Sequence, residues 1–213
     1  MTVIRILTIS DNPSADHVNL SRFSQKQIMN KLTLVTLLFF GSCFCADEDY
    51  YWREYFGAVP ADAFVAGKTL DGKNVYIGQA YLKDAGIIVA QISPGEKEVS
   101  VPYNGIHKVN KYIKILCGPQ VKFYWMKANA TDLHVQVTDK HAVLGGHEDK
   151  NGYMNIGRIS LSGDVKIGKV NSFWVENAYF YYNENGKEKK LRSYEILMYN
   201  GEIPDVDVRI TSE

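Results

Sequence analysis

Two stretches of this chain repeat each other, and the repeat constrains the fold more than any other feature. Setting Gly67 on Gly146, an offset of 79 residues, carries "AFVAGKT" (63–69) onto "AVLGGHE" (142–148) and Ile77-Gly78-Gln79 onto Ile156-Gly157-Arg158 without a gap. Upstream, "YYWREYF" (50–56) falls on "FYWMKAN" (123–129) once six extra residues are allowed before Ala142 in the second copy. Downstream, "YNGIHKVNKYIKIL" (103–116) falls on "ENGKEKKLRSYEIL" (184–197), sharing Asn-Gly and a closing Ile-Leu at equal spacing. The chain therefore holds two tandem units, residues 50–117 and 123–199, joined by "GPQVK" and followed by a tail, 200–213. One unit is small for an independent core, so the two are expected to pack as a pseudo-twofold pair.

Each unit is expected to be β structure. "NVYIGQAYL", "EVSVPY", "KYIKIL", "DLHVQV", "SFWVENAYFYY" and "YEILMY" are short, rich in β-branched and aromatic residues, and often alternate apolar with polar positions. Turn signals separate them: Asp71-Gly72, Pro94-Gly95, Asn104-Gly105, Asn151-Gly152, Ser162-Gly163 and Asn185-Gly186. No segment after residue 45 has the sustained 3.6-residue period of a long helix. The fold class is all-β, two tandem antiparallel repeats.

The N-terminal region belongs to targeting. "LTLVTLLFFGSCFC" follows Met29-Asn30-Lys31 and is as long as a signal-peptide core, short of the roughly 20 residues a membrane span needs. Cys43 and Cys45 suit the small positions before a cleavage site, which makes 29–45 a signal peptide and Ala46 the first residue of the secreted chain. Residues 1–28, upstream of this start, are an extension that carries no functional signal. Secretion would leave Cys117 alone, with no internal disulfide to form, and its place at the end of "YIKIL" makes it a small buried hydrophobe.

Charge excludes some partners. Lys plus Arg number 24 and Asp plus Glu number 24, so no overall field draws nucleic acid or an anionic membrane. Enzyme signatures are also missing: there is no phosphate loop, no serine elbow and no His-Glu-x-x-His, so no catalytic residue and no cofactor is assigned. His141 and His147 are six residues apart without a Cys partner and form no metal motif. Trp52, Trp125 and Trp174 are core-filling residues by type, the first two at repeated positions. Asn129-Ala130-Thr131 is an N-glycosylation acceptor in the stretch where the second unit departs from the first.

The ordered elements "WREYFGAVPADA", "LDGKNVYIGQA", "PYNGIH" and "YIKIL", with "AVLGGHEDKNGYMNIGRISLSGDVKIGKV" and "NGKEKKLRSYEIL" in the second unit, resemble a tandem DM-nine repeat. The resemblance implies a small lectin-like recognition protein of invertebrate immunity or of the salivary or gut response to parasites, of the mannose-binding kind. It further implies that Glu148, Asp164 and Lys169 are the acid, acid and lysine of a sugar site, and that His107 is structural. The matching first-unit positions, Thr69, Gly86 and Gln91, are uncharged, so the resemblance supports one site per chain. "KIGK" departs from the family's usual Pro-Gly-Lys.

Sugar hydroxyls both donate and accept, so carboxylates, a lysine and an aromatic face are the groups such a site needs. The expectation is a secreted, non-enzymatic protein binding mannose-type glycans on microbial or parasite surfaces, with a homodimer or larger assembly supplying avidity. The alternative is a vesicle-associated or protein-interaction stress-response protein whose sugar site is vestigial.

Overall fold

In the computed structural model the strands fall twice into one pattern. Residues 50–201 are described; the signal segment 29–45, the extension 1–28 and nearly all of the tail lie outside them. The first repeat holds β1 (Tyr51–Glu54), β2 (Val65–Lys68), β3 (Asn74–Leu82), β4 (Gly86–Ile92), β5 (Val99–Pro102), β6 (Ile106–Val109) and β7 (Ile113–Cys117). A single 3-10 turn, Gln120–Lys122, leads into the second. There β8 (Phe123–Asn129), α1 (Leu133–Gln136), β9 (His141–Ala142), β10 (Leu144–Glu148), β11 (Gly152–Leu161), β12 (Asp164–Val170), β13 (Phe180–Glu184), β14 (Lys187–Leu191) and β15 (Ser193–Tyr199) follow.

Pairing is antiparallel throughout, and the registers superimpose one repeat on the other. Trp52 faces Leu116 as Trp125 faces Leu197. Gly78 faces Ile115 as Gly157 faces Ile196, and Ile77 faces Gln91 as Ile156 faces Lys169. Both β2 and β10 carry an irregularity at the same place, between Val65 and Gly67 and between Leu144 and Gly146. The β3–β4 turn is one residue longer than the β11–β12 turn, because Leu82 pairs with Gly86 whereas Leu161 pairs with Asp164.

The shared Ile-Gly has a steric cause. Ile77 and Ile156 are fully buried, each removal from water favouring the fold by about 1.5–3 kcal/mol. The glycine beside each lies under a side chain of the adjacent strand. A β-carbon on Gly78 would fall 2.7 Å from Ile92 Cδ1, and one on Gly157 would fall 2.5 Å from the Phe180 ring and 2.8 Å from Val170 Cγ2. Ile92 and Val170 are equivalent, each one residue past the partner of the repeated isoleucine.

One sheet runs through both repeats, in the order β1-β7-β3-β4-β10-β11-β12-β13-β14, with β2 beside β3 and β15 joining β11, β8 and β9; β5 and β6 form a separate ribbon. The repeats meet at β4 and β10, where Ile87 pairs with His147 and Gly86 with Glu148. Close approach is reciprocal there. A β-carbon on Gly146 would fall 2.0 Å from the Ile87 carbonyl oxygen, and one on Gly67 would fall 2.7 Å from Val165 Cγ2. Gly67 and Gly146 are equivalent, as are Ile87 and Val165, so the contact is the two-way contact of a twofold axis. A larger core draws on both repeats, from Phe64, Ile77 and Ile92 to Met154 and Leu197, and a smaller one around Phe180, Tyr194 and Ile196 lies within the second.

Two expected strands are not strands throughout. "DLHVQV" forms the single turn α1, because the Asp132 carbonyl accepts the amides of Val135 and Gln136 and only Leu133 of the four helical residues is buried. In "SFWVENAYFYY" only Phe180–Glu184 is strand. Its earlier residues turn twice, Trp174 N–H donating to Asn171 O and Asn177 N–H to Trp174 O, which leaves Trp174 55% exposed rather than in the core. No helix among the described residues is long and apolar enough to cross a membrane.

Cys117 is fully buried, and burial, with Asp62 nearby, pushes its thiol up to about 11. A chromogenic disulfide reagent at pH 8 is expected to leave the folded chain unlabelled at this position and to react in denaturant, where the thiol returns to about 8.5. Gly146→Ala is expected to cost about 1–3 kcal/mol in urea denaturation, since backbone and not a flexible side chain must yield. Ser160→Ala, on an exposed position of β11, should stay within about 0.5 kcal/mol of the parent.

Candidate functional site

Glu148 ends β10 and begins the Asn151-Gly152 turn into β11. Asn151 N–H donates to the Glu148 carbonyl at 3.1 Å, and Asn151 Nδ2 donates to Glu148 Oε2 at 2.6 Å. The first repeat holds the same corner from the other side, through the Gly86 pairing and through Asp149 N–H donating to Ala85 O at 3.0 Å. A β-carbon at Gly86 would fall 2.3 Å from the His147 carbonyl oxygen, so only glycine lets this turn approach.

Lys169, 21 residues on, comes to Glu148 from β12, and its Nζ donates to Oε1 at 2.5 Å. Both residues are nearly enclosed, Glu148 4% and Lys169 3% exposed. Two tyrosines flank the ammonium, with Nζ 5.1 Å from the Tyr103 ring centre and 5.3 Å from that of Tyr181. Tyr181 is the β13 partner of Lys169. Burial, reinforced by the Glu188 and Glu148 carboxylates, raises its phenol above the ordinary value, so it remains a neutral face for the cation.

Tyr103 is contributed by the first repeat, from the turn between β5 and β6. His107 Nε2–H donates to the Tyr103 carbonyl at 2.8 Å, and Gly105 N–H donates across to Glu188 Oε2 at 2.6 Å. The structural role expected of His107 is thus to hold the tyrosine that closes the second repeat's ion pair. Beside the pair opens a cleft of about 390 Å³ lined by Glu148, Asp149, Lys150, Asn151 and the rings of His147 and Tyr153, the last 68% exposed.

Asp164 stands elsewhere. It opens β12 opposite Leu161, five residues along the strand from Lys169, and pairs with Lys166 at 2.7 Å. The adjacent Gly163 and Val165 face Leu70 and Gly67 of the first repeat. The pseudo-twofold explains the split: Gly86 abuts the Glu148 corner, and its equivalent Asp164 lies on the side of Thr69. A separate cleft, about 250 Å³, is lined by Gln91, Ser93, Glu96, Lys166, Asn183 and Asn185. There Gln91, in the place of Lys169, accepts the Ile167 amide at 3.0 Å, a packing bond between the repeats.

Asn129 ends β8. Its Oδ1 accepts both the backbone N–H of Thr131 at 3.1 Å and the Thr131 hydroxyl at 2.7 Å, while Nδ2 donates to Ser193 Oγ. Trp52 and Trp125 pack against the larger core, and Arg158 lies 4.3 Å over the Trp125 ring. His141 bonds the Tyr50 hydroxyl and His147 lies 3.3 Å from Asp149; no cluster of three metal-ligating side chains occurs among the described residues.

Sequence reasoning did not single out Asn151, Tyr103 or Tyr181. Asn151 was visible as a turn residue three positions after Glu148, and Tyr103 as part of "PYNGIH", but the convergence of Tyr103 and Tyr181 on Lys169 depends on strand register and on the packing of the repeats.

The DM9 repeat family model matches residues 81–174, a segment running from the end of β3 across the junction of the two units to the turn after β12. The crystal structure of the nematode sperm cell motility protein MFP2B is similar to this chain at 14% identity and a TM-score of 0.48, over 75% of this chain and 47% of that one. This chain thus spans about half that protein's length. No curated protein matches.

Lys169→Met is expected to cost about 3–5 kcal/mol in chemical denaturation, because it leaves the Glu148 carboxylate buried without its cation. Glu148→Gln combined with Lys169→Met should recover much of that loss, a coupling that a double-mutant cycle reads directly.

Proposed function

We propose that this chain, whose residues 81–174 match the DM9 repeat family model, is a secreted carbohydrate-recognition protein without enzymatic activity, binding mannose-type glycans at the Glu148 corner. The observation that carries the reading is the meeting of Glu148 and Lys169 from separate strands, with Glu148 in the wall of a cleft that also offers Asp149, Lys150, Asn151 and an exposed tyrosine face. Carboxylate and amide groups fixed by the fold are suited to paired hydroxyls, and Tyr153 to the apolar face of a sugar ring. The ion pair orders Asn151 through Oε2, so its contribution is preorganisation as well as contact.

One shallow site binds weakly, and useful avidity on a microbial or parasite surface requires a homodimer or larger assembly. The role that follows is in innate defence or parasite interaction. A second reading is favoured by the near-complete enclosure of Glu148 and Lys169, which satisfy each other without a ligand. In that reading the pair is a structural clamp, and the protein acts through a protein partner in a vesicle-associated stress response.

A glycan array separates the two. The parent chain is expected to bind mannose-type glycans and to lose them in Asn151→Ala and Tyr153→Ala, which leave the ion pair intact, as well as in the Glu148→Ala, Lys169→Ala double variant confirmed folded by circular dichroism. A well-folded parent that binds no glycan would overturn the carbohydrate reading in favour of the clamp.

A further inference from the structure

The overall charge balance conceals a local excess. Among the described residues β14 ends the sheet path and pairs with β13 alone, and residues 187–192 read Lys-Glu-Lys-Lys-Leu-Arg. Lys187, Lys189, Lys190 and Arg192 are exposed, and the ion pairs among the described residues engage other side chains. The acids nearby are Glu184, opposite Lys187 in the register, and Glu188, which accepts the Gly105 amide.

Register sorts these cations by face. Lys169, Tyr181 and Lys190 are direct partners across β12, β13 and β14, so they share one face of the sheet. Tyr179, two residues before Tyr181, continues that face. Lys190 Nζ lies 4.9 Å from the Tyr179 ring centre and Arg192 Cζ 5.8 Å from it, with Arg192 Nε donating to the Tyr179 hydroxyl at 3.2 Å. Asn171 stands beside them, its N–H donating to Tyr179 O, itself 9% exposed and its Oδ1 buried without a protein partner. The guanidinium and ammonium also lower the Tyr179 phenol below its ordinary value, as a site that stabilises negative charge would.

We infer that the Lys190–Tyr179–Arg192 cluster is an anion subsite continuous with the Glu148–Lys169 corner, and that it selects glycans bearing sulfate groups. This rests on the carbohydrate reading and adds the ligand's charge to it. Tyr179 and Tyr181, two residues apart, offer aromatic surface to sugar rings, and the two cations against Tyr179 match an acidic substituent there. An acidic peptide would use the cations alone.

The test titrates a heparin-derived hexasaccharide into the full chain by calorimetry, with mannose oligosaccharide, de-sulfated hexasaccharide and linear polyglutamate in parallel. The sulfated hexasaccharide is expected to bind more tightly than either the de-sulfated form or polyglutamate. Lys190→Gln and Arg192→Gln, both on exposed positions, should each weaken it by about tenfold, the scale of one charge-assisted bond, and Tyr179→Leu should weaken it as well. Failure of the sulfated hexasaccharide to bind, equal binding by the Lys190→Gln, Arg192→Gln double variant, or equal binding of polyglutamate would overturn the inference. Mannose binding without hexasaccharide binding overturns this inference alone. Hexasaccharide binding with these losses but no mannose binding keeps it and overturns the mannose-type assignment.

Discussion

Two glycines that have no room for a β-carbon hold the halves of this molecule together. Gly146 of the second repeat lies against the Ile87 backbone of the first, and Gly67 of the first lies against Val165 of the second. Because the contacts are reciprocal, β10 can pair with β4 and one sheet can pass from repeat to repeat without an edge between them. That junction also determines where chemistry can occur. The Glu148 corner is built from a second-repeat strand end, a first-repeat turn at Ala85 and Gly86, and a first-repeat tyrosine, so neither repeat possesses the site by itself.

The twofold creates two equivalent places, and the side chains in them have diverged. One holds an enclosed ion pair, with Asn151 and two tyrosines satisfying what remains. The other holds Thr69 and Gln91, where the amide serves the backbone of the neighbouring repeat. An enclosed ion pair is a poor general source of stability, because loss of hydration offsets the attraction. Since the twofold-related position packs without one, the fold does not require the pair, and its presence in one place alone is what singles out that corner.

Much of the architecture was legible in the residues. The Ile-Gly echo, the Trp52 and Trp125 positions and the Ile-Leu endings all align in the strand registers, and even the match of Lys169 to Gln91 survives the one-residue difference in turn length. Local alternation was less reliable where no neighbouring strand was available. "DLHVQV" alternates, yet the Asx turn at Asn129 breaks away from β8 and the segment coils into α1. Trp174 has the composition of a core residue and lies on a loop at the surface. For the site, the family resemblance pointed to Glu148, Asp164 and Lys169 together, but Asp164 is carried by the strand to the opposite side of the twofold.

The sequence by itself determined that the chain is a duplicated antiparallel β protein, because period-two apolar segments and turn residues recur at matching spacings and each copy is too small to stand alone. Only the tertiary structure decided which charges meet. The partners of Lys169 come from residues 103, 148 and 181, and no spacing along the chain encodes that convergence. It arises from strand register within the second repeat and from the docking of the first repeat's turn upon it, both of which are set by packing between the halves.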